Sequence, residues 1–336
     1  MKVNITKFLH EKAFCLILCV KVVLVTVSCK QSDSPPRESK PNPDVRYPVN
    51  QADPSIFYFD GQYYLYGTND NNPDNGFLVY VSNDMSTWVL KKQAMYKGDS
   101  FGDWGFWAPH VFKHGERFYM AYTANERIAI AESDSPLGPF KQTVKKALES
   151  PVKLIDPYVF FDDDGKKYLF HVRLGNGNRV FVSEMSEDLS ETKEETTVEC
   201  IRASLPWERV QGAVAEGPTV VKNNGLYYLV YSANHYQSKD YAVGYAVSNN
   251  VYGPWTKFEG NPIISRNSTL KPGSGHGDLF KDKNNELWYV FHTHNSLNSI
   301  SPRLTAIVKA SFVEDNSGTD KFQIDNSSFS YQNFSY

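Results

Sequence analysis

Residues 52–68 read ADPSIFYFDGQYYLYGT. An apolar run, an Asp60-Gly61 pair and a strongly aromatic run follow one another, and Asp-Gly between two β-prone runs signals a tight hairpin. The same plan recurs four more times. It reads WAPHVFKHGERFYMAYT at 107–123, IDPYVFFDDDGKKYLFHV at 155–172, AEGPTVVKNNGLYYLVYS at 215–232 and GHGDLFKDKNNELWYVFH at 275–292. A third β-prone run follows each hairpin: FLVYVS, IAIAES, VFVSEM, YAVGYAVS and LTAIVKAS. A turn and then Trp or Phe commonly come next, as at Trp88 and Trp255. Long helical periodicity is absent. Repeated antiparallel units without helices predict radial blades, so the expected fold is all-β, a five-bladed β-propeller in one domain. A sandwich does not repeat one hairpin signature five times.

Composition narrows the function classes. The 336 residues carry 35 Lys and Arg against 38 Asp and Glu, a net charge of -3, which lacks the basic footprint a nucleic-acid binder needs. Phe, Trp and Tyr make up 14%, far too much apolar surface for a disordered chain. Cys15, Cys19 and Cys29 lie in the first thirty residues and Cys200 stands alone beyond them, so no disulfide framework supports the repeats.

The N-terminus reads as an address. Lys2, Lys7 and Lys12 precede an apolar run from Ala13 to Val27, broken by Lys21 and ending in Ser28-Cys29. This is the layout of a secretory signal peptide, and the run is shorter than the roughly 20 residues a membrane span requires. A small residue before cysteine resembles the lipobox of bacterial lipoproteins, with Thr26 where leucine is usual. Residues 1–28 are therefore expected to be a signal peptide and Cys29 lipidated. The polar, proline-rich residues 29–46 are expected to be a tether, and 47–336 the propeller. Membrane contact comes only through the lipid anchor, and the location is periplasmic or cell-surface.

The first strand of each propeller blade lines the central channel, so residues opening the five strands converge on the axis. Matching the repeats gives Asp53, Ala108, Asp156, Glu216 and His276 as equivalent positions. Each acid alone reads as a turn residue. Three in one funnel are a different matter, because they crowd like charges and lose solvation, a cost usually associated with function. Two carboxyls, one protonated and one ionised, are the apparatus of glycoside hydrolysis, and a third can raise the acid's pKa. Trp104, Phe106 and Trp107, in GDWGFWAPH, are candidates for stacking on a sugar.

The ordered strings ADPSIFYFDGQYYLYGT, FWAPHV, SDSPLGPF, IDPYVFFDDDGKKYLF, VAEGPTVVKNNGLYYLVYSAN and GHGDLF resemble glycoside hydrolase family 43 over residues 47 to 312. That resemblance implies a five-bladed propeller and an inverting glycosidase, an α-L-arabinofuranosidase or β-xylosidase acting on plant polysaccharides or oligosaccharides. It implies Asp53 as general base, Asp156 as the residue that tunes and orients the acid, and Glu216 as general acid. His276 and Arg303 are implied substrate contacts, beside Trp107 from the aromatic stretch above. His276 is also the residue that in some members ligates a calcium ion near the channel axis. No cofactor is required for the chemistry, and a monomer is expected. His110 stands where members commonly carry glutamate.

Other signals carry less. Asp162, Asp163 and Asp164 lack the glutamate a calcium loop needs and read as a hairpin turn. His292 and His294 are two apart on a strand, without the partners of a zinc site. Glu199 falls outside the repeat register. An endo-arabinanase of the same fold and a non-catalytic sugar-binding propeller are the alternative readings.

Overall fold

The structure, a computed structural model, describes residues 45–314 and 319–335. The signal segment, Cys29 and nearly all of the expected tether lie outside the described residues. Each of the five repeats forms one small antiparallel sheet, and the hairpins fall where the turn pairs place them. Blade 1 is built from Gln51–Phe59, Gln62–Asn69, Gly76–Ser82 and Trp88–Tyr96. Blade 2 has three strands: Trp107–His114, Arg117–Ala124 and Arg127–Ser133. Blade 3 has Leu154–Phe161, Lys167–Arg173, Arg179–Glu184 and Val198–Arg202. Blade 4 has Ala215–Asn223, Leu226–Ala233, Ala242–Ser248 and the short Thr256–Lys257. Gly275–Lys281, Leu287–Thr293, Leu304–Val313 and Lys321–Tyr331 complete blade 5.

The aromatic second strands explain how the blades hold together. Buried side chains fall into five clusters, one for each gap between neighbouring blades. Tyr66, Phe77, Phe106 and Tyr122 fill the gap between blades 1 and 2, and Tyr228, Tyr245, Tyr289 and Phe291 that between blades 4 and 5. Burying a side chain of this size stabilises by about 1.5–3 kcal/mol. Flat, large rings suit a wedge-shaped gap between twisted sheets. Phe106 is fully buried here, so it is a core residue and not one of the sugar-stacking rings.

The ring is closed by the two ends of the described chain. Asn333–Ser335 runs parallel to the outer strand of blade 1 and antiparallel to Tyr47–Pro48. The Trp88 indole N–H donates to Gln332 Oε1 at 2.7 Å, which ties the last strand to blade 1.

Every first strand breaks its ladder at the same place. The register shifts at Ala52/Ser55, Trp107/His110, Ile155/Tyr158, Glu216/Thr219 and Gly275/Gly277. Within each bulge one residue has a left-handed backbone: Asp53 (φ 47), Ala108 (47), Asp156 (56), Gly217 (58) and His276 (44). Bulges of this kind re-aim side chains. The backbone also corrects the sequence register. The fourth equivalent of Asp53 is Gly217, and Glu216 stands one position earlier, level with Ala52, Trp107, Ile155 and Gly275.

Candidate active site

The five bulges bring Asp53, Asp156, Glu216 and His276 to the channel axis, all of them largely buried. Asp53 has the densest set of partners. Arg303 Nη1 lies 3.1 Å from its Oδ1, and the Thr68 hydroxyl donates to its Oδ2 at 2.7 Å. His292 Nδ1 and His276 Nδ1 stand 3.3 and 3.4 Å from Oδ1. Arg303 is held in turn by Asp70, whose Oδ1 receives Nη2 at 2.9 Å and whose Oδ2 receives the Arg303 backbone N–H at 2.7 Å. Burial alone would push the Asp53 carboxyl up. The Arg303 charge, then that of His276, outweighs it and holds Asp53 well below the usual carboxylate range.

The other two acids go the opposite way. Burial, then the charge of Asp53, raises Asp156 to about 8. Burial, then the charge of Asp156, raises Glu216 to about 7. Glu216 accepts the Asn178 amide at Oε2 and the Tyr241 hydroxyl at Oε1, each at 2.9 Å. Both donors reach it through backbone constraints. Asn178 bridges Val214, and its carbonyl accepts the Ala215 N–H at 3.0 Å, next to Glu216 in the chain. Tyr241 fits because Gly275 has no Cβ: one built there would come within 2.4 Å of the ring. Gly217 does the same for His276, whose ring would lie 2.8 Å from a Cβ at that position. His276 Nδ1 also approaches Asp156 Oδ2, at 3.9 Å, and so stands between two acids.

Deeper in the channel a second set of side chains, Ser55, His110, Tyr158, Thr219 and Asp278, ties the first strands together. The Ser55 hydroxyl donates to Pro109 O at 2.6 Å, and the Tyr158 hydroxyl to Val220 O at 3.0 Å. His110 accepts the Val159 N–H at 3.1 Å and stacks on Tyr158, with ring centroids 4.3 Å apart. Burial pushes its imidazole down to about 3, so it is a neutral acceptor in the channel wall. Thr219 donates to Asp278 Oδ1 at 2.8 Å, and burial raises Asp278 to about 7. Ser55, His110, Tyr158 and Asp278, with Asp53, Asp156 and His276, line a cavity of about 20 Å³, room for about one water.

Trp107 shares the register position of Glu216 in its own blade, which puts it at the same level of the channel, and it packs edge to face with the exposed Trp104 at 6.0 Å. Arg303 is brought to the acids, and its guanidinium also lies 5.3 Å from the Tyr236 ring. Glu199 is on the outermost strand of blade 3, paired with Arg179 and Arg202. Asp162 holds Lys222 and Tyr227 as a structural turn.

Calcium takes six to eight oxygen ligands. Beside His276 only Asp53 and Asp156 offer carboxylates within 4 Å, and no three His, Cys, Asp or Glu side chains cluster around an ion site among the described residues. These residues do not fit a protein-built calcium site.

The arrangement therefore sets Asp53, biased toward its ionised form, beside Asp156, biased toward keeping its proton, at the bulges of the first strands. The model of glycosyl hydrolases family 43 matches residues 45–317. The chain belongs to that family. A solved structure described as the endo-1,4-β-xylanase of Bacteroides thetaiotaomicron is 40% identical, with a TM-score of 0.80, covering 86% of this chain and 98% of that one. The β-D-galactofuranosidase of Aspergillus niger is 26% identical over 272 residues, 73% of this chain and 74% of its own. Xylosidase/arabinosidase 43B of Humicola insolens is 25% identical over 75% of this chain, which spans about half (49%) of its length. As a family 43 member the protein is a glycoside hydrolase. Asp70 and Asn178 lie outside the repeated motifs, whereas Tyr241 opens the third run of the fourth repeat and His292 ends the fifth motif; none of the four was read from the sequence as a partner of the acids.

Proposed function

We propose that the protein is an inverting glycosidase that removes terminal α-L-arabinofuranosyl or β-D-xylosyl residues from plant polysaccharides or oligosaccharides. The observation that carries this reading is geometric: the bulges of three first strands carry Asp53, Asp156 and Glu216, and His276 stands within 4 Å of both aspartates, with Asp53 biased toward its ionised form and Glu216 raised to about 7. In this assignment Asp53 takes a proton from a water below the anomeric carbon as that oxygen bonds to the carbon. Glu216 gives its proton to the departing glycosidic oxygen as the old bond breaks. The transition state is oxocarbenium-like and no covalent intermediate forms. Burial keeps the Glu216 pKa raised, Asp156 orients the acid, and Arg303 keeps Asp53 charged and faces the sugar. Asp53 then gives its proton up to solvent and Glu216 takes one back. No step calls for a metal ion.

The names of relatives support the substrate class, since the Humicola insolens protein is a xylosidase/arabinosidase. Hydrolysis within β-1,4-xylan is the second reading, favoured by the 40% identity to the Bacteroides thetaiotaomicron xylanase. Nitrophenyl arabinofuranoside, xyloside and galactofuranoside, assayed beside arabinan and xylan, separate these readings. Release of single sugars supports exo action, and early oligosaccharides the endo reading. Proton NMR of the first product tests the mechanism, and a retained anomer overturns it. The leader supports export as a lipoprotein anchored at Cys29. Labelled palmitate incorporated into wild type and absent from Cys29→Ser tests that.

A further inference from the structure

In four blades the left-handed residue of the bulge donates its N–H to the preceding blade. Ala108 donates to Thr68 Oγ1 at 3.0 Å, and Asp156 to Thr123 Oγ1 at 3.0 Å. His276 donates to Ser232 Oγ at 2.7 Å, and Asp53 to His292 Nδ1 at 3.1 Å, across the closure of the ring. The four acceptors occupy one register position, opposite the residue before the bulge: Thr68 faces Ala52, Thr123 Trp107, Ser232 Glu216 and His292 Gly275. A buried N–H needs such an acceptor.

Blade 3 departs from this. The residue at that position is Val172, fully buried and paired with Ile155, and it has no group to offer. The next bulge N–H, of Gly217, goes instead to Asp156 Oδ2 at 3.2 Å. One carboxylate oxygen of Asp156 is thereby fixed on the backbone directly after Glu216.

We propose that Val172 is a positioning residue: by withholding the acceptor that the other four blades supply, it assigns the Gly217 N–H to Asp156 and orients that carboxyl toward the acid. The inference rests on the roles proposed above for Asp156 and Glu216. Because threonine and valine have nearly the same shape, the Val172→Thr variant adds little but the hydroxyl that blades 1 and 2 carry at this position.

The test is steady-state kinetics on the best nitrophenyl glycoside, with a crystal structure of the variant. In Val172→Thr the new hydroxyl should accept the Gly217 N–H and release Asp156. The kcat should fall about fivefold, the size of one ordinary hydrogen bond, with KM nearly unchanged. Val172→Ala, which loses packing and gains no acceptor, should melt earlier and keep its kcat within about twofold of wild type. Val172→Ser carries the same hydroxyl in less volume and replaces the threonine variant if that one does not fold. A Val172→Thr enzyme with wild-type kcat, an equal kcat loss in Val172→Ala, or a structure retaining the Gly217 to Asp156 bond overturns the proposal. If the wild type hydrolyses no glycoside, the functional reading fails, and the crystal structure still decides the role of Val172.

Discussion

Arg303 Nη1 sits 3.1 Å from Asp53 Oδ1, while the rest of its guanidinium is gripped by Asp70. The arginine spans 250 residues of sequence to reach the first blade, and it is the largest influence holding Asp53 ionised against its own burial. A general base works only when deprotonated, so kcat/KM falls as pH drops through the Asp53 pKa. Arg303→Gln removes the charge that lowers this pKa, and the acidic limb of the pH profile should move to higher pH. A limb that stays in place would show that Asp53 does not set it. In Asp53→Ala and Glu216→Ala turnover should drop by about 10²- to 10⁴-fold, the usual contribution of a positioned acid or base, while circular dichroism shows a folded chain.

In the proposed assignment the alkaline limb belongs to Glu216, which must keep its proton to act as an acid and is raised to about 7. Burial raises its pKa, whereas hydrogen bonds from the Asn178 amide and the Tyr241 hydroxyl to the carboxylate lower it. Asp156, raised to about 8, is largely protonated while Glu216 titrates, so Asp156→Asn should leave the alkaline limb near its wild-type position, and Tyr241→Phe should shift it to higher pH. An alkaline limb that stays in place in Tyr241→Phe contradicts this account of Glu216.

The buried acids also give stability a definite pH dependence. Asp156, Glu216 and Asp278 have folded pKa values raised to about 8, 7 and 7. A carboxyl raised in the folded state contributes stability that is full below its unfolded value near ~4 and is lost as pH climbs through the folded value. Asp53 and Asp70, both lowered, contribute stability above that same unfolded value and lose it in acid. The melting temperature should fall between pH 6 and pH 9. Asp278→Asn cannot ionise and keeps an oxygen for the Thr219 hydroxyl, so its melting temperature should fall less over that interval. An identical slope in wild type and variant removes Asp278 from the explanation.

How far the sequence reaches is clearest at Glu216. The hairpins are legible because turn chemistry is local: Asp60-Gly61 and Asn224-Gly225 specify their own bends. Matching carboxylate to carboxylate, however, places Glu216 level with Asp53. The structure aligns Gly217-Pro218 with Asp53-Pro54, because the left-handed bulge is what the blades share. Asp70 and Tyr241 were out of reach for another reason. One meets its partner 233 residues away and the other 25, and although Tyr241 opens the third run of its repeat, nothing in that run marks it as a partner of Glu216. The closure by Asn333–Ser335 is equally non-local.

Gly275 links the fold to the chemistry most directly. It occupies in blade 5 the position held by Glu216 in blade 4, and the ring of Tyr241 fills the space its side chain would take. A methyl at Gly275 would come within 2.4 Å of that ring, so Gly275→Ala must push Tyr241 aside or shift a strand. Overpacking of this kind typically costs about 1–3 kcal/mol, seen as a lower denaturation midpoint. Displacing Tyr241 also takes its hydroxyl away from Glu216, so the alkaline limb should move upward as in Tyr241→Phe. In the double variant Gly275→Ala/Tyr241→Phe the second change should add almost nothing to that shift, because the bond it removes is already lost. Additive shifts would mean that Gly275 acts on Glu216 by some route other than Tyr241.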